Sequence, residues 1–186
     1  MNEATFIGDF SDGPSAAALT SVDIELRALE LVVHWRRCGL TADWLALFFA
    51  YDFEPEARQT AESILSTVIN ELLENAAKFC ADKQRLVRVA VRHHGEFVSI
   101  ETVNVASGAH AARLRETIEE LTRSNLDELF TRRMQTKNAP GASGIGLLIL
   151  KKDYAVRLGA KLTPVGGDEW NVEVRVELSL GQVEPR

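Results

Sequence analysis

Three short runs of the chain hold side chains whose types and spacing can do chemistry. In Asn70-Glu-Leu-Leu-Glu-Asn-Ala-Ala-Lys-Phe79, Glu71, Asn75 and Lys78 stand at i, i+4 and i+7. One helical face would then present a carboxylate, an amide and an ammonium together. A hard cation such as Mg²⁺ takes oxygen ligands and keeps several waters, so the Asn75 carbonyl plus phosphate oxygens is a sufficient ligand set. Glu71, one turn away, can orient or deprotonate an attacking hydroxyl. The same three residues are also compatible with a plain solvated helix face.

The second run is Pro140-Gly-Ala-Ser-Gly-Ile-Gly-Leu147, directly before a helical stretch. Its glycines let backbone approach phosphate closely, and a helix N-terminus adds unpaired N–H groups and a partial positive charge. No Gly-Lys-Ser/Thr follows, so it is not a Walker loop, and no strand and distal acid frame it as a dinucleotide fingerprint. Taken alone, it reads equally as a simple loop. The third run, Val98-x-Ile100-x-Thr102-x-Asn104-x-Ala106-x-Gly108, alternates as a strand does. It leaves Asn104 at the strand's end, where an amide can pair with a base edge as both donor and acceptor.

The elements that must position these runs follow from periodicity. Ser21 to Cys38 has the spacing of an amphipathic helix ending at Gly39, and Thr41 can cap a second helix carrying Trp44, Leu45, Leu47, Phe48 and Phe49. Pro55 opens a third, whose stripe of Ile64, Val68, Ile69, Leu72 and Leu73 runs to about Phe79. Leu86 to Val91 and Phe97 to Val105 flank His93-His94-Gly95-Glu96 as a β-hairpin. Gly108 to Arg123 returns to helical spacing, Asn125 to Pro140 reads as a mobile connection, and Ile145 to Leu158 is a helix stopped by Gly159. Leu162 to Val165 and Trp170 to Leu180 form a last strand pair joined by Gly166-Gly167-Asp168. This order predicts an α+β fold with helices packed on one face of a mostly antiparallel sheet.

Composition narrows the partners. The 186 residues, 46% of them hydrophobic, can bury one substantial core. A net charge of -6 argues against nucleic acid or acidic lipid as partners held by bulk electrostatics. Residues 1–14 lack the pattern of a signal peptide, and no apolar run approaches the ~18 residues of a membrane span, so a cytoplasmic protein is expected. Cys38 and Cys80 lack the neighbours of a zinc or redox site and read as reduced, buried thiols. His34, His93, His94 and His110 make no metal pair.

The order and spacing of the three runs resemble the GHKL ATPase superfamily, the nucleotide-binding fold shared by histidine kinases, gyrase, Hsp90 and the anti-sigma serine kinases. Glu71 to Asn75 looks like its N box, Asn104-x-Ala106-x-Gly108 stands where the DxGxG box belongs, and Gly141-x-x-Gly144-x-Gly146-Leu147 looks like its second glycine box. The resemblance covers about residues 60–180. It implies a two-layer α/β sandwich of the Bergerat type, with a mixed, mostly antiparallel sheet over residues 56–186 and residues 1–55 as a helical extension. It further implies ATP or ADP with Mg²⁺ as cofactors. Asn75 would be the metal ligand and Glu71 the catalytic base, and Lys78, Asn104, Gly108, Gly141, Ser143, Gly144, Ile145, Gly146 and Leu147 would lie around the nucleotide.

Two positions depart from the pattern. Asn104 replaces the Asp that normally accepts from adenine N6, and Ala106 replaces the first loop glycine. The connection from Gly108 to Gly141 corresponds to the ATP lid, from which Arg132, Arg133 and Lys137 could reach the γ-phosphate. The run Trp35-Arg-Arg-Cys-Gly-Leu-Thr-Ala-Asp-Trp44, followed by the N-box run, is similar to a stand-alone bacterial branch that includes SiaB-like kinases. That similarity implies a regulator in a partner-switching pathway, acting as a serine/threonine kinase on a small STAS-type antagonist protein. The alternative is a non-catalytic module that senses nucleotide and sequesters an antagonist, sigma factor or response regulator. Trp35, Trp44, Phe48 and Phe49 could also make the helices Ser21 to Ala50 a homodimer interface, or cap the sheet intramolecularly.

Overall fold

The computed structural model describes residues 3–10, 17–135 and 144–179. The chain order is β1 (Thr5–Gly8), β2 (Thr20–Arg27), α1 (Ala28–Val33), α2 (Arg36–Ala50), α3 (Arg58–Phe79), β3 (Leu86–His93), β4 (Phe97–Ser107), α4 (Gly108–Arg123), α5 (Leu126–Gln135), α6 (Ile145–Asp153), β5 (Arg157–Gly166) and β6 (Glu169–Ser179). The six strands form one sheet in the order β1-β5-β6-β4-β3-β2, antiparallel at every described pairing. Helices α3 and α4 lie against one face, and α1 and α2 pack on α3.

Residues Ser21 to Arg27 are corrected from helix to strand. Val22, Ile24 and Leu26 alternate with the exposed Ser21, Asp23 and Glu25, so the period is two. Val22, Leu26, Leu29 and Val33 also satisfy a helical stripe, and pairing with β3 decides between the two periods. Asp23 then meets Arg88 and Arg92 across the sheet surface. The helix placed from Thr41 begins earlier, at Arg36, and Gly39 lies within it. Residues 1–55 thus contribute both edge strands, β1 and β2, as well as α1 and α2.

Three further boundaries move. In place of a mobile connection, residues 126–135 form α5, with Asn125 Oδ1 accepting from the N–H of Asp127 at 3.0 Å and of Glu128 at 3.2 Å, an N-cap that the charged sequence hides. Leu129 buries itself, and Leu126 and Phe130 pack beside it. The α6 helix ends at Asp153 and not at Gly159, because Ala155 turns the chain at φ 50 and β5 starts at Arg157.

Along β4 the side chains that face the helices run Val98, Ile100, Thr102, Asn104, Ala106. The first two are core against α3, while Thr102 (2% exposed) and Asn104 (5%) are polar and still buried. The core therefore gives way to a polar site at the middle of β4. On the opposite face Glu101 receives Arg175 at 2.7 Å, and Arg175 lies 4.2 Å above the Phe10 ring, so this surface is knit by charges. Both cysteines are buried free thiols, and burial together with the Glu74 charge pushes Cys38 up to about 11, far from reactive range. Among the described residues no helix is long and apolar enough to cross a membrane.

Candidate functional site

The buried polar step on β4 opens into a pocket between α3, α4 and the start of α6, floored by Val172 and Val174 of β6. Its lining is mostly apolar, with Asn75, Thr102, Asn104, His110, Arg113 and Thr117 as the polar groups.

Asn104 carries the strongest chemical signal. Its Nδ2 is buried and has no hydrogen-bond partner within the protein. An amide left so costs on the order of 1–3 kcal/mol, which a planar ligand edge offering a complementary group would recover. Leu72, Ala76 and Val174 around it supply flat apolar surface.

Asn75 enters from α3. Its Nδ2 donates to Glu71 Oε1 at 2.8 Å, which commits the amide's donor end and leaves the carbonyl end as its acceptor for the pocket. Glu71 does not itself line the pocket. Its carboxylate occupies the space where Gly146 lacks a side chain: a Cβ there would stand 1.7 Å from Glu71 Oε1. Among the described residues, this carboxylate joins the N-box helix to Gly146 of the second glycine box.

At the mouth, Gly144 takes φ 89 and serves as N-cap of α6, whose N-terminus carries the partial positive charge that favours an anion. Arg133 donates to the Gly144 carbonyl at 2.8 Å and pairs with Glu120 of α4, bracing this turn against two helices. Leu147 of α6 closes the pocket beside it.

The remaining expected residues are placed as follows. Lys78 is exposed, its Nζ 5.2 Å from the Phe79 ring centre, and it does not line the pocket. The Gly108 N–H donates to Asp168 O at 2.7 Å, and a Cβ there would meet Asp168 Oδ1 at 2.3 Å, so this glycine seats the β5–β6 turn. Ile145 opens α6 and is partly buried. Gly141, Ser143 and Lys137 lie outside the described residues. Arg132, like Arg133, pairs with Glu120.

Thr102, His110, Arg113 and Thr117 were missed by sequence reasoning. The last three stand at i, i+3 and i+7 on α4, a polar row on one helix face that marks them in retrospect. His110 is held by Ser107 Oγ at 3.0 Å from Nδ1 and by the Phe79 ring at 5.1 Å.

Residues 60–182 match the family described as histidine kinase-, DNA gyrase B-, and HSP90-like ATPase. The chain belongs to that family. Among solved structures, the crystal structure of the SiaB–SiaC complex from Pseudomonas aeruginosa contains a chain of similar fold, with a TM-score of 0.52 at 14% identity, covering 87% of this chain and 91% of that one. No curated protein sequence matches significantly.

The Glu71–Gly146 contact gives a first expected result. In Gly146→Ala the new Cβ must displace the Glu71 carboxylate, the far end of a flexible side chain, so the fold survives with little change in melting temperature. Asn75 loses the acceptor that orients it, and ATP–Mg²⁺ affinity is expected to fall roughly tenfold, about 1.4 kcal/mol. Calorimetric titration beside a thermal melt checks both halves, and unchanged affinity would contradict the role of this contact.

Proposed function

We propose that this protein is an ATP–Mg²⁺-binding signalling regulator that acts on a small regulatory protein, as a serine/threonine kinase of a STAS-type antagonist. The observation that carries the nucleotide reading is the buried, unpartnered Asn104 amide at the head of a pocket whose mouth is a helix N-terminus. Adenine suits the Asn104 end, and phosphates suit the Gly144 end and the Arg113 guanidinium. Asn75 would hold Mg²⁺, which when bound neutralises phosphate charge. Glu71 is the candidate base: it would take the proton of the partner's hydroxyl as that oxygen bonds to the γ-phosphorus and the bond to the ADP oxygen breaks.

A second reading, a non-catalytic nucleotide-sensing module that sequesters its partner, has one observation in its favour. Glu71 is already engaged by Asn75 and pressed against Gly146, off the pocket lining. Titration with ATP–Mg²⁺, followed by incubation of γ-labelled ATP with a candidate STAS-type protein, separates the readings. Glu71→Gln, whose amide oxygen can still accept from Asn75, is expected to keep ATP–Mg²⁺ binding within about threefold and to lose label transfer. A wild-type chain that binds nucleotide and partner without transferring label defeats the kinase reading and leaves the module.

A further inference from the structure

Along α2 a row of large apolar side chains stands in solvent. Leu40, Trp44, Leu47 and Tyr51 follow one another at steps of four, three and four, with Phe48 beside them and Trp35 at the start of the helix. Their exposures run from 48% to 70%, while Leu45 and Phe49 on the opposite face of the same helix are fully buried. Most exposed large apolar side chains among the described residues lie between Val32 and Tyr51. Steps of four and three are those of a heptad seam, the surface that a second helix covers.

Charge is polarised along the same helix. Arg36 and Arg37 are exposed at its start, Arg37 also pairing with Glu30 of α1, and Glu54 and Glu56 are exposed just past its end. With α2 about 22 Å long at 1.5 Å per residue, an antiparallel copy brings each basic start against the acidic end of the other. A parallel copy would set like against like. The pattern therefore complements itself under a two-fold axis, the symmetry of an isologous dimer.

We propose that the outer face of α2 is a self-association surface and that its occupant is a second copy of this chain, packed antiparallel with the axis near Trp44. The proposal does not rest on the nucleotide reading. On α3, Ser66 and Asn70 face α2, where Ser66 donates to Asp43 at 2.6 Å, whereas Asn75 and Phe79 line the pocket on another side of that helix.

Sedimentation velocity of the full chain at tens of micromolar is expected to give a species of twice the 20.6 kDa chain mass. Trp44→Glu, at a half-exposed site, is expected to weaken association roughly hundredfold while ATP–Mg²⁺ affinity stays as in wild type. Surface charge variants keep the test sound if that change disturbs folding. Arg36→Glu with Arg37→Glu, and separately Glu54→Lys with Glu56→Lys, should each be monomeric alone and should pair when mixed. A wild-type monomer at those concentrations, a dimer indifferent to Trp44→Glu, charge variants that fail to pair, or an α2 face protected only when a different protein is added would each overturn the proposal.

Discussion

Replacing Asn75 with Ala is expected to weaken ATP–Mg²⁺ binding roughly hundredfold, about 2.7 kcal/mol, while leaving the weaker Mg²⁺-free binding of ADP close to wild type. The size follows from the removal of an oxygen ligand at a site where Asn75 is the residue of α3 that offers its carbonyl to the pocket. Folding should not suffer, because the side chain is only partly buried and Ala is the better helix former by several tenths of a kcal/mol. Calorimetry with and without EDTA reads the difference directly. Equal losses in both conditions would mean that Asn75 touches nucleotide and not metal, and no loss in either would remove the pocket assignment itself.

Asn104→Leu should move stability and binding in opposite directions. The two side chains share the same branched heavy-atom skeleton, Leu being the bulkier, and the substitution removes a buried Nδ2 that has no partner. The ligand-free protein is therefore expected to gain about 1–2 kcal/mol against urea. Nucleotide affinity is expected to fall by roughly tenfold to a hundredfold, because the polar edge of adenine would face a methyl group where Asn104 now offers an amide. Discrimination between ATP and GTP should shrink with it. A variant that is more stable and binds ATP as before would show that the base does not reach Asn104.

The long, strongly periodic elements were legible from sequence. The stripe on α3, the β3–β4 hairpin and the span of α4 need no distant partner to declare their period. β2 was not legible, because Val22 and Leu26 fit both periods and only β3 resolves them. Nor was α5, whose start depends on one Asn side chain among charged residues. The three motifs predicted the neighbourhood of the site, since their order reflects which helix and strand ends converge. They could not predict contacts made by absence of a side chain. That Glu71 fills the space above Gly146, and that Gly108 serves the Asp168 turn and not the pocket, are facts of backbone approach that no spacing encodes. The polar row on α4 escaped notice because the resemblance assigned that stretch to a lid.

The sheet order also governs how the molecule is made. The strand synthesised first, β1, pairs with β5, and β5 in turn pairs with β6, which floors the pocket with Val172 and Val174. A chain growing from its N-terminus therefore carries β1 without a neighbour until Arg157–Gly166 has left the ribosome, and long loop closures of this kind are slow. The outer edge of the sheet and the floor of the pocket are completed by the same late hairpin. A nascent or interrupted chain consequently has neither, and the pocket is completed by the last two strands rather than by the motifs, all of which precede them.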